Sequence, residues 1–170
     1  MLKDYYSKIY KLLDEVTPLS KDCGVLCNKA CCKEEDEPAG MFVFPFEEEL
    51  LKKVDFGYME ESNCEYGENK TAKIFYCTKP CNRNERPLAC RIFPLTPYRK
   101  NGKIKLIMNP AAKKMCPLAR SLHPSQLEEA FEENVQRAIN RILKLKDGDD
   151  YIDMLTEISD QFIEMNKNFK

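Results

Sequence analysis

The chain has 170 residues, 43% of them hydrophobic, a formal net charge of −1 and a pI of about 6.0. That is enough for one ordinary domain with a core, and the balanced charge gives no global basic field for nucleic acid or an anionic lipid surface. The first twenty residues hold no apolar signal-like run, and no window approaches the roughly 18 apolar residues of a membrane span, so the expectation is a cytoplasmic protein with no membrane attachment.

In chain order, LKDYYSKIYKLLDEV places Leu2, Tyr5, Ile9, Leu12, Leu13 and Val16 on one helical face, and Pro18 is expected to close that helix. A cysteine segment follows to about residue 37. MFVF is a short apolar run that predicts a strand. PFEEELLKKV predicts a helix, with acids in its first turn, lysines in its last, and Leu50, Leu51 and Val54 inward. Residues 57–70 are polar and are expected as a loop, and TAKIFYC as a strand. Asn101-Gly102 between two apolar-rich arms predicts a hairpin with a type I′ turn. Pro94 and Pro97 on the first arm make part of it an edge or irregular. After Pro124, SQLEEAFEENVQRAINRILKLK is a strong helical pattern through Leu127, Phe131, Val135, Ile139 and Ile142. DGDD is expected to break it, and YIDMLTEISDQFIEM to form a last helix. The predicted class is α+β: one domain over 1–170, with a small irregular cysteine-rich β region at 23–117 organised around metal. Helices lie at both ends, the C-terminal ones over 124–166.

Cysteine is the anomaly. There are nine, an odd number, in a chain read as cytosolic, where structural disulfides are rare and clustered cysteines more often bind metal or do redox chemistry. Cys23, Cys27, Cys31 and Cys32 form an early group; Cys77, Cys81, Cys90 and Cys116 form a later one; Cys64 stands alone. Eight thiolates without a nearby histidine suit two four-cysteine sites or one larger cluster. The spacings are Cys-x3-Cys rather than the Cys-x2-Cys turns of zinc ribbons and knuckles. A continuous helix would spread Cys23 and Cys31 over about 12 Å, too far for one metal with sulfur bonds of about 2.3 Å. The segment is therefore expected as an irregular loop or short helical turn that meets residues 77–90. The adjacent side chains of Cys31 and Cys32 diverge in extended backbone, so the pair can serve two sites. Arg86 and Arg91 flank Cys90 and are expected to stabilise thiolate charge.

The segments CGVLCNKACC and RPLACRIFPL together resemble the YkgJ-like cysteine-cluster proteins, the CxxCxxCC group proposed to chelate zinc or iron. The resemblance rests on the doublet Cys31-Cys32 and on Arg86-Pro87, Cys90-Arg91 and Phe93-Pro94, and it covers roughly residues 23–117. The early spacings are longer than the family pattern, and four residues rather than about five separate Cys81 from Arg86. The resemblance implies a metal site with Cys23, Cys27, Cys31, Cys32, Cys77, Cys81, Cys90 and Cys116 as ligands. A related cysteine region occurs in flagellin lysine methylases, where an iron–sulfur cluster and S-adenosylmethionine are implicated. An iron–sulfur-dependent methyltransferase-like enzyme is therefore the alternative to a structural, chelating or electron-carrying role.

All-sulfur ligation and the missing Cys-x2-Cys knuckles favour an iron–sulfur cluster over Zn2+. Eight protein ligands would close two four-ligand sites, which favours a non-enzyme. The single histidine, His123, precedes Pro124 and is expected to cap rather than ligate. No GxGxxG or GxxxxGK[ST] loop is present. The acids Glu34, Glu35, Asp36 and Glu37 are expected as solvated loop, and the lysines of YRKNGKIK as an exposed hairpin rather than a nucleic-acid patch. A metal or cluster is thus the expected partner, and no protein partner is specified.

Overall fold

The computed structural model describes residues 2–32 and 40–168. The run from Glu34 to Glu37 lies outside the described residues. Helix and strand are mixed, with helices at both ends and two small antiparallel sheets between them.

Helix α1 spans Leu2–Tyr10 and buries Tyr6 and Ile9. It stops well short of Pro18. Leu12 N–H bonds to the Ile9 carbonyl at 3.1 Å and Leu13 N–H to Tyr10 at 2.8 Å, which tightens the last turn. Beyond it, the carbonyls of Asp14 and Val16 accept from the Arg83 side chain, the latter at 2.6 Å. A distant arginine thus takes up backbone groups that a longer helix would have used.

Strand β1 (Gly40–Val43) and the one-turn helix α3 (Glu48–Leu51) follow. The expected loop at 57–70 is instead largely strand: β2 spans Gly57–Tyr66 and β3 spans Lys70–Cys77. Polarity there reflects an edge strand with one wet face. Met59, Ser62, Cys64 and Tyr66 turn partly inward and alternate with exposed Tyr58, Glu60, Asn63 and Glu65. A register shift between Glu61 and Glu65 hides the alternation from a simple count of two. Gly67 and Asn69, both at positive φ, turn the chain into β3. The sheet order is β1-β3-β2, with β3 central.

Helix α4 (Leu88–Ile92) leads to the hairpin β4 (Leu95–Lys100) and β5 (Lys103–Met108). Asn101 and Gly102 both have positive φ, as a type I′ turn requires. Helix α5 (Pro117–Ser121) precedes α6 (Glu129–Ile142) and α7 (Gly148–Asn168). Pro124–Gln126 is a separate 3-10 turn capped by His123 and Gln126, which delays α6 to Glu129. The run is broken as expected, but only Asp147 of DGDD, at φ 60, lies between the helices; Gly148 opens α7 with Asp149 and Asp150 in its first turn. Acids there face the positive end of the helix dipole.

One large core joins these parts. Tyr6, Ile9 and Leu13 pack with Phe44, Leu88, Ile92, Leu95, Phe131, Ile139, Tyr151 and Ile152. A second cluster, Val43, Leu51, Phe56 and Phe75, lies on the other face of the three-stranded sheet. The central region therefore has apolar packing of its own.

Candidate metal centre

The early cysteines sit on a tight double turn. Helix α2 (Cys23–Cys27) is one turn, and the Asp22 side chain accepts from Gly24 N–H at 2.9 Å. Val25 and Leu26 point outward, 80% and 72% exposed, while Cys23 and Cys27 are half-buried. Asn28 and Lys29 then both adopt left-handed backbone, at φ 51 and 54, which folds the chain back. Lys29 N–H bonds to Gly24 O, and a 3-10 turn carries Ala30, Cys31 and Cys32. The expected short helical turn is present, and the reversal brings Cys31 back beside Cys23 and Cys27.

The later cysteines come from separate elements. Cys77 ends β3 opposite Gly57, and Cys81 follows the Thr78–Pro80 bend. Cys90 is central in α4. Cys116 caps α5 and is buried with Ala112 and Ala119. The position of α4 depends on Glu47, a fully buried carboxylate that the sequence placed only among the acids of a helix's first turn. Its oxygens accept from Leu88 N–H at 2.6 Å, Phe44 N–H at 3.1 Å and the Tyr10 hydroxyl. Burial pushes the Glu47 carboxyl up, and the Tyr10, Leu88 and Phe44 donors and nearby Arg91 pull the other way.

The thiols form two neighbourhoods that meet at the doublet. Burial raises the Cys23 thiol, and Cys27, Asp22 and Cys116 raise it further. The Cys31 and Cys32 sulfurs are 4.0 Å apart. The Cys32 thiol is lowered to about 6, first by a hydrogen bond from Cys31 and then by Arg86 and Lys29. Cys31 moves the opposite way, by that bond, by burial, and by Cys32, Cys23 and Cys27. The pair thus gives up one proton readily and holds the other. Burial also raises Cys90, with Cys77, Cys32 and Cys81 adding to it. Cys23 thus has Cys27 and Cys116 as electrostatic neighbours, Cys90 has Cys77, Cys32 and Cys81, and the doublet lies between them.

The two arginines have different jobs. Burial disfavours the Arg86 charge, but Cys81, which it hydrogen-bonds, and Cys32 and Cys90 raise its pKa overall. Arg91, expected to face sulfur as well, is turned to protein oxygen. It meets Asp14 at 2.6 Å, donates to the Arg86 and Asn84 carbonyls, and lies 4.0 Å from the Tyr10 ring centroid. A planar, always-charged fork suits that fixed multi-acceptor site. It holds the loop that carries Arg86, so its effect on sulfur is indirect.

Cys64 lies apart, on β2 against the main core. No disulfide forms among the described cysteines. Beside the second group opens a cavity of about 620 Å³ lined by Cys32, Cys77, Cys81 and Arg86 among others. A smaller apolar cavity of about 230 Å³, between β1, α4 and α7, is lined by Phe42, Ile92, Leu155 and Phe162 and carries no thiol. Sequence reasoning missed Glu47, Tyr10, Asp14 and Arg83. Only the folded topology brings Glu47, Tyr10 and Asp14 to the RPLACR segment, and Arg83, three residues before Arg86, ties that segment to the Asp14 and Val16 carbonyls.

Among the described residues, no three His, Cys, Asp or Glu side chains stand in an assembled metal-holding group, and no helix is long and apolar enough to cross a membrane. The sulfurs are neighbours without being a finished coordination shell. No family model, curated protein or solved structure matches the chain, so the resemblance to the cysteine-cluster family rests on its motif residues alone.

Proposed function

We propose that the chain is a cysteine-cluster protein that binds an iron–sulfur cluster or Zn2+ through eight thiolates. Cys23, Cys27, Cys31 and Cys116 would form one site, and Cys32, Cys77, Cys81 and Cys90 the other. The observation that carries this reading is the nearness of cysteines from distant segments: the Cys31 and Cys32 sulfurs lie 4.0 Å apart, Cys32, Cys77 and Cys81 line one cavity, and burial and then neighbouring thiols raise Cys23 and Cys90. A metal bound there would draw off thiol protons and compensate the thiolates. Arg86 supplies positive charge to the second group, which would tune a redox potential there. Thiolate-only donors and that arginine favour iron–sulfur over zinc. Closed four-sulfur sites favour a structural or electron-carrying role. The cavity beside Cys32, Cys77 and Cys81 is the one observation on the side of an enzyme.

Metal analysis, optical spectroscopy and thiol titration on anaerobically purified protein test this. The expected result is bound iron with visible thiolate-to-iron absorption, and few titratable thiols before chelation. A colourless protein with stoichiometric zinc would reverse the choice of metal. Neither metal, with all nine thiols titratable in the folded chain, would refute the reading.

A further inference from the structure

The cavity beside the second cysteine group has another character besides sulfur. At about 620 Å³ it is far larger than a metal ion with sulfur bonds of about 2.3 Å needs. Beyond its cysteines and Pro80, its wall is Asn28, Lys29, Tyr58, Thr78, Lys79 and Arg86. Three of these six are cationic, and none of the described residues lining it is acidic. The chain as a whole has 27 basic and 28 acidic residues, so the cavity is a local departure from balance. Lys79 also meets Asp55 at 2.7 Å, but that carboxylate is 88% exposed, and such pairs are worth little in water.

The donors are placed rather than scattered. The Arg86 Nε atom is buried and has no hydrogen-bond partner, which buried donors seldom tolerate. Lys29 holds left-handed backbone, a conformation lysine rarely adopts. Gly24 makes room for its stem: a Cβ there would stand 3.1 Å from Lys29 Cγ and 3.2 Å from Asp22 Oδ1. Thr78 is held by its N–H bond to Phe56 O at 2.9 Å. Tyr58 stacks on Tyr76, with ring centroids 5.5 Å apart, and gives the cavity a fixed aromatic wall. Neutralising thiolates would use the charges but would leave the buried Arg86 Nε–H without a partner.

We propose that this cavity binds a small molecule bearing an oxyanion, a carboxylate or a phosphate, on Arg86, Lys29 and Lys79 beside the Cys32, Cys77 and Cys81 sulfurs. Arg86 offers the directional donor. The lysines supply charge, Asn28 and Thr78 take further oxygens, and Tyr58 packs against the rest of the ligand. This site stands beside the metal reading and does not require it.

The test is a titration of the full, anaerobically purified chain, of measured metal content, with inorganic phosphate and separately with acetate at constant ionic strength. Arginine Nε–H resonances are followed by 15N NMR, with the Arg86 signal assigned by its loss in Arg86→Lys. The expected result is a saturable shift of that signal, while the Arg137 signal from α6 stays in place. Tighter binding of phosphate identifies a phosphate ligand, and tighter binding of acetate a carboxylate. Lys29→Ala and Lys79→Ala should each weaken binding roughly tenfold or more, as loss of one charge-assisted contact implies. A shift that rises without saturating, that Arg137 shares, or that survives both lysine substitutions overturns the proposal. Metal content keeps the two readings apart. Saturable binding by metal-free chain upholds the cavity site while the metal reading fails, and a chain without saturable binding, loaded or not, overturns the cavity site alone.

Discussion

Glu47 shows how much one side chain can organise. It ties α1, β1 and α4 together through Tyr10, Phe44 and Leu88. Glu47→Gln keeps the shape but turns one acceptor into a donor that must face an N–H or a hydroxyl. Leaving such a buried group unsatisfied costs about 1–3 kcal/mol, so urea unfolding should show a loss of that size. The folded carboxyl titrates above its ordinary 4.5. Its contribution is therefore greatest below the unfolded value and is lost as pH rises through the folded one. The gap between wild type and Glu47→Gln should accordingly narrow from pH 4.5 towards pH 8; a gap that widens would mean the carboxylate is the favoured form. None of this was legible in PFEEELL. Three consecutive acids look alike in sequence, and only the turn geometry decides which one is taken inside.

At the scale of elements, the readable parts were those with a local cause. The Asn101-Gly102 hairpin needed only two residues tolerant of positive φ. The short turn at Cys23–Cys27 has the Asp22 cap before it and left-handed Asn28 and Lys29 after it. Helix α6 and the start of α7 shifted by a few residues, because His123-Pro124 and Asp147-Gly148 set local caps that outweigh periodicity. Strand β2 was hidden because an edge strand with a bulge carries charge on its wet face. The candidate site was legible as a list of eight cysteines and one arginine; Arg91 was misassigned because its partners, Asp14 and Tyr10, lie far away in sequence. The same geometry localises the effect of breaking a site. Cys31→Ser or Cys90→Ser should raise hydrogen exchange in residues 22–32 and 77–90 and leave α6 and α7 at wild-type protection. Loosening of α6 and α7 to the same degree would mean the metal holds the whole fold.

The whole molecule has a core that does not pass through sulfur. Tyr6, Phe44, Leu88, Phe131 and Tyr151 belong to one buried cluster, and the Tyr151 hydroxyl reaches the Val43 carbonyl at 2.9 Å. Arg99 binds Asp149 and Asp153 of α7, which fastens the hairpin to the last helix. Chelation should therefore leave a folded chain. Circular dichroism should show helix content nearly unchanged and a single cooperative melt at lower temperature, since ligand that binds only the native state adds to its stability by mass action. Loss of the cooperative melt on chelation would mean that the packing depends on metal.

That core has a consequence for the order of events during synthesis. Its closing residues are in α6 and α7, whereas every cysteine lies at or before Cys116. All nine thiols are thus translated before α6 and α7, the helices that complete the packing, and about fifty residues separate Cys116 from the end of α7. At 5–20 residues per second this interval is roughly 3–10 s. Through it the nine thiols are on a nascent chain whose interior has not yet shut, open to oxidants before the packing is complete.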